Sequence, residues 1–139
     1  MGDGLILEFY LINFVKLIWL SDIHFEFPTI EVVRGFISDV ADTKPDAVLI
    51  TADISNALRI EYHSAQLSNL PCKVHFALGN HDFYEGDFAS VDATVDNMCE
   101  SYSGLVHLGH GEIVRLTEAT SLIGHRGWAD VRVTQKSLV

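Results

Sequence analysis

An α/β fold is predicted for this chain, with a parallel sheet formed by its first half. Three observations predict it. Residues 16–20, 47–51 and 73–78 are short, almost uninterrupted apolar runs; amphipathic stretches separate them; and each run ends in a polar cluster. Strand, helix, strand, helix, strand is the βαβ pattern, whose strands run parallel. Parallel strands covered on both faces read as continuous apolar runs rather than alternating ones.

Residues 16–20 form the first predicted strand. Pro28 suits the first turn of the helix that follows. Ile30, Val33, Phe36, Ile37, Val40 and Ala41 then recur at three and four, giving one apolar face. Lys44-Pro45-Asp46 ends that helix, and residues 47–51 are the second strand. A second helix is predicted over residues 56–70, from Leu58, Tyr62, Ala65 and Leu67 or Leu70, closed by Pro71. Residues 73–78 are the third strand, broken by Gly79. A weaker helix follows over residues 87–102, with Phe88, Val91, Val95 and Met98 on one side. Short strands are predicted near residues 105–108, 112–116 and 121–124, with turns at Gly109-His110-Gly111 and Glu118-Ala119. These hairpin-like strands are expected to continue the sheet as antiparallel neighbours. There is no internal repeat, low-complexity tract or linker.

At 139 residues the chain has the length of one domain, and 48% hydrophobic residues suffice for a core. A net charge of −10, from 19 acidic and 9 basic residues, argues against generic nucleic-acid binding. It leaves room for an anionic substrate, because bound divalent metal reverses the field of an acidic cleft. Cys72 and Cys99 form no CxxC and are read as two buried thiols of a cytoplasmic protein. The apolar stretch over residues 5–20 is interrupted by Glu8, Asn13 and Lys16. It is too short to span a membrane and lacks the flanks of a signal peptide. No membrane partner is expected.

In an open α/β sheet, ligands bind beyond the carboxyl ends of the strands. Ser21-Asp22-Ile23-His24 follows the first strand, Thr51-Ala52-Asp53-Ile54-Ser55-Asn56 the second, and Gly79-Asn80-His81-Asp82 the third. Asp22 and His24 are two apart, so an extended segment points both the same way. A carboxylate and an imidazole on one face make half of a divalent-metal site. Asp53 has two carboxylate oxygens with which to bridge two ions. Gly79 allows a sharp turn, after which Asn80 offers a neutral amide oxygen. Taken singly, Asp53 reads as a helix N-cap, and Gly79-Asn80 as a turn. Together, at three consecutive strand ends, the clusters read as a metal site.

Asp22-Ile-His24, Ala52-Asp53-Ile-Ser-Asn56 and Gly79-Asn80-His81-Asp82 resemble the calcineurin-like metallophosphoesterases. Their motifs run D-x-H, G-D-x-x-[DN] and G-N-H-[DE] in this order. The likeness covers residues 16–132, and Leu122-Ile-Gly-His-Arg-Gly-Trp-Ala-Asp130 also looks like a segment of bacterial members. Ala52 departs from the family's usual glycine. The resemblance implies a two-sheet sandwich flanked by helices, of which this chain holds most of one sheet and the beginning of the other. It also implies two divalent metal ions, Mn, Fe or Zn, their identity unknown. Asp22 and His24 would hold the first ion, Asp53 would bridge, and Asn80 would hold the second. His81 would be the catalytic imidazole and Asp82 would orient it. Asn56 reads as a helix-start residue. The implied reaction is hydrolysis of a phosphate mono- or diester by a metal-bound hydroxide, the phosphate ester being the expected partner.

Family members complete such a site from later residues, a further histidine and a G-H-x-H pair. Here the later candidates are His107, His110 and His125, of which His125 reads as an exposed imidazole or one that supports the ligands. His63 and His75 read as structural. Residues 15–139 are therefore expected to be the N-terminal part of a phosphoesterase domain, of low activity and prone to self-association through exposed sheet surface. Residues 1–14 are expected to be a non-native extension ahead of a start at Val15, or else an added edge strand. Two other readings stand: a non-catalytic fragment with a weak metal or phosphate site, and an unrelated doubly wound binding module.

Overall fold

The structure is a computed structural model that describes residues 14–127. The expectations placed on residues 1–13 and on residues 128–139 lie outside the described residues.

Four strands, β1 (Leu17–Ser21), β2 (Ala47–Thr51), β3 (Lys73–Ala77) and β4 (Leu105–His107), form one sheet in the order β1-β2-β3-β4. All three pairings are parallel, and Ser21, Thr51 and Ala77 are level in register. The polar clusters that follow these residues therefore begin at one edge of the sheet. The helices α1 (Ile30–Asp42), α2 (Ile60–Leu67) and α3 (Phe88–Ser101) connect the strands. Two further strands, β5 (His110–Arg115) and β6 (Ser121–His125), pair antiparallel in a separate sheet.

Consecutive strand order with right-handed crossovers places every helix on one face of the sheet. The core follows from this. Val48, Ile50, Val74 and Phe76 meet Val33, Ile37 and Val40 of α1, Ile60 and Leu67 of α2, and Val91, Val95 and Met98 of α3. Ile18 and Leu20 join the same layer, while Trp19 between them is 71% exposed. The continuous apolar run of β1 is thus buried on one face only among the described residues, which corrects the two-faced burial read from its composition.

The predicted class holds, with local differences. The strand at Leu105–His107 extends the main sheet in parallel, because α3 carries the chain across before it. The antiparallel pair β5–β6 opens a second sheet instead of extending the first. α1 begins at Ile30 with Thr29 as its N-cap, two residues after Pro28. α2 begins at Ile60, because Asn56 closes a turn with Arg59 instead of starting a helix. Asn56 donates from Nδ2 to Glu85 Oε2 at 2.5 Å, tying the β2 loop to the β3 loop. Asp87 caps α3 by accepting the Ser90 N–H at 3.0 Å. Cys72 and Cys99 are both half-buried free thiols.

Candidate metal centre

The three loops at the carboxyl edge are stitched together by their backbones. Asp22 donates its N–H to the Ala52 carbonyl at 3.3 Å, His24 to the Asp53 carbonyl at 3.0 Å, and Phe25 to the Ile54 carbonyl at 2.9 Å. The pairing of β1 with β2 thus continues past the strand ends, but in a different conformation. Asp22, His24, Ala52 and Asp53 all have positive φ, at 52°, 45°, 78° and 51°. The extended geometry expected for Asp22-Ile23-His24 is therefore replaced by left-handed turns. Aspartate and histidine tolerate that region better than most residues. The turns still bring the groups together: donor atoms of Asp22, His24 and Asp53 lie within 4.8 Å of one another.

Ala52 is the exception among these residues, having no polar side chain to compensate. An L-residue in the left-handed region costs roughly 1–2 kcal/mol, and this is the position where the resemblance calls for glycine. Ala52→Gly is expected to raise stability by about 0.5–1 kcal/mol, the strain relieved less the entropy of a freer unfolded chain. Thermal melting measures it; a lowered melting temperature would show that φ 78° carries no strain.

Gly79 has the opposite requirement. A Cβ there would lie 2.2 Å from Asp53 Oδ1, 2.7 Å from Ala52 Cβ and 2.8 Å from the Asp53 nitrogen. The β3 loop reaches Asp53 only because this position has no side chain. Gly79→Ala is expected to cost about 2–3 kcal/mol, as overpacking against backbone does. A chemical-denaturation midpoint equal to wild type would contradict that packing.

Asp53 is buried and central. Its Oδ1 accepts the His81 N–H at 3.0 Å, so it anchors the third loop and does not cap a helix. The His81 ring lies edge-on to His24, with centroids 4.8 Å apart, and 4.4 Å from the Tyr84 ring. Asn80 is exposed and donates from Nδ2 to the Tyr84 hydroxyl at 3.0 Å, which fixes the amide and leaves Oδ1 as its other end. A cleft of about 700 Å³ opens beside these groups, with Ala52, Gly79, Asn80, Tyr84 and the exposed His125 in its wall.

Asp82 departs from its expected role. It is fully buried and does not serve the His81 ring. Its Oδ1 accepts the Ile54 and Ser55 N–H groups at 2.8 and 2.9 Å, and Oδ2 accepts the Gly79 N–H at 2.8 Å. The carboxylate clamps the β2 loop to the β3 loop. Burial pushes its pKa up to about 6, against the pull of those three amides. Beneath it, buried His63 bonds Ser55 Oγ at 2.7 Å, and burial lowers its pKa. His75 is buried in the sheet, and burial likewise lowers its pKa. Both are structural, as the sequence reading had them.

Glu26 was missed by that reading. Its Oε1 lies 3.0 Å from His24 Nδ1, and its Oε2 is buried without a partner among the described residues. The hydrogen bond to Glu26 raises the His24 pKa, with the Asp53 and Asp22 charges adding to it and desolvation opposing it. A carboxylate on one imidazole nitrogen is the usual support for a metal on the other. In the sequence Glu26 shows only as an acid two residues beyond His24. An acidic donor set of carboxylates, imidazole and amide, with an unsatisfied buried oxygen beside it, suits divalent ions. Glu26→Gln is expected to weaken metal binding about 10- to 100-fold. Because binding requires neutral imidazole, affinity in wild type should begin to fall on acidification from above the ordinary histidine value. In Glu26→Gln that fall should move to lower pH. Metal titration across pH measures both, and identical profiles would contradict the coupling.

A family model described as calcineurin-like phosphoesterase matches residues 15–136. Comparison with curated proteins and with solved structures gives no match. Among the described residues no helix is long and apolar enough to cross a membrane.

Proposed function

This chain belongs to the calcineurin-like phosphoesterase family, and we propose that it hydrolyses a phosphate mono- or diester with the help of two divalent metal ions. The observation that carries this reading is the convergence of Asp22, His24 and Asp53 donor atoms within 4.8 Å at the edge where three parallel strands end. Asp22 and His24 would hold one ion, Asp53 would be shared, and the Asn80 amide oxygen would meet the second. Such ions, when bound, polarise phosphoryl oxygens and lower the pKa of water.

The chain's own residues supply the rest. Glu26 orients His24 through Nδ1. Asp82 holds the β2 and β3 loops at a fixed separation, so Asp53 and Asn80 keep their relation. The His81 imidazole, set by its N–H bond to Asp53 and its contact with Tyr84, protonates the leaving oxygen. Positioned acid catalysis of this kind contributes about 10²- to 10⁴-fold. The cleft beside Asn80 takes the ester's organic group.

Hydrolysis of an aryl phosphate and a bis-aryl phosphate, with and without Mn²⁺, tests the reading. Turnover that requires Mn²⁺ and stops with a chelator is expected, and the faster substrate assigns monoester or diester. Metal binding without turnover would favour instead a non-catalytic metal or phosphate site.

A further inference from the structure

A second group of metal-binding side chains lies away from the centre described above. Asp96 of α3, His107 at the end of β4 and His110 at the start of β5 bring donor atoms within 4.8 Å of one another. His107 is level with Phe76 on β3, and Phe76 with Ile50 on β2. It thus stands two strands from β2, about 10 Å across the sheet, and faces the helices. We propose that Asp96, His107 and His110 bind a single Zn²⁺-type ion that ties α3 to the turn between β4 and β5.

Three observations carry this. His107 is only 7% exposed, yet both of its ring nitrogens lack a hydrogen-bond partner among the described residues. Buried imidazoles are normally partnered, and an unsatisfied one calls for an explanation. The second observation is a distance. His110 Nε2 and Asp96 Oδ1 are 3.4 Å apart, long for a hydrogen bond. Two ligands each about 2.0–2.1 Å from a tetrahedral ion are separated by about 3.3–3.4 Å, which this pair already matches. The third is Gly109. A Cβ there would lie 2.4 Å from His107 Nε2, so the turn between β4 and β5 closes on that ring only because this position has no side chain.

The donor chemistry agrees. Two imidazoles and a carboxylate suit Zn²⁺ and Co²⁺ better than Mg²⁺ or Ca²⁺, which prefer oxygen alone. The nearby Arg126 charge is paired with Asp92 at 2.9 Å. The Phe76 ring stacks on His107, with centroids 5.2 Å apart, and holds its plane. His107 and His110 meet edge to face at 5.0 Å.

Co²⁺ serves as a visible probe, added to the full chain in an Asp53→Asn background that disables the first centre. One equivalent with tetrahedral-type absorption is expected. Adding His110→Ala or Asp96→Ala, both at exposed positions, is expected to weaken that binding by about 100-fold or more, with unchanged circular dichroism. Zn²⁺ should raise the melting temperature only while both residues are present. Equal Co²⁺ binding with and without His110 overturns the proposal, as does loss in one variant but not the other. Because the background already lacks Asp53, failure here leaves the phosphoesterase reading intact, and failure of that reading leaves this site standing.

Discussion

Asp53→Asn is expected to abolish stable binding of metal at the first centre while leaving the fold in place. The fold should survive because asparagine accepts left-handed backbone almost as readily as aspartate. Its amide oxygen can still take the His81 N–H that Asp53 Oδ1 receives at 3.0 Å. What disappears is the negative charge and the second ligand oxygen, which becomes an NH₂ that cannot bind a cation. Loss of a group that merely supports a ligand costs about 10- to 100-fold in affinity or activity; loss of a shared ligand should exceed that. Turnover should fall further than metal content, because a two-metal mechanism needs both ions at once. Elemental analysis, circular dichroism and turnover measure the three effects. Unchanged metal stoichiometry would remove Asp53 from the centre.

His81→Ala carries the second large effect. The substitution keeps the backbone N–H that holds Asp53, so the ions should remain. The turnover number should drop by about 10²- to 10⁴-fold, with little change in KM, since the imidazole acts on the transition state and not on substrate binding. The structure sharpens this test, because donor atoms of His24, Glu26 and His81 also lie within 4.8 Å of one another. A loss of bound metal in step with activity would make His81 a ligand instead of the acid.

The parallel sheet and the three loops were legible because apolar runs report burial and polar residues at their ends report position. Asp22, His24 and Asp53 meet for a reason the sequence did not reveal. Left-handed turns at Asp22, His24, Ala52 and Asp53 place them, and periodicity cannot report φ at single residues. Asp82 was read through its neighbour in sequence, whereas its partners are the backbone amides of Ile54, Ser55 and Gly79, up to 28 positions away. The direction of β4 was hidden because three residues are too few to show a period, and α3 alone decides it. Glu26 is visible in the sequence as an acid two residues beyond His24, but the left-handed turn at His24 decides their contact. The grouping of Asp96 with His107 and His110 depends on α3 packing against the end of β4, which no local pattern encodes.

Anomalous diffraction from crystals of the full chain grown in Mn²⁺ tests the central claim most directly. Two Mn²⁺ peaks are predicted, roughly 3.5–4 Å apart, with one reached by Asp22 and His24, the other by Asn80, and both by Asp53. Absence of manganese at Asp53 and Asn80, or a single ion held by Asp22 and His24 alone at saturating Mn²⁺, would contradict the account.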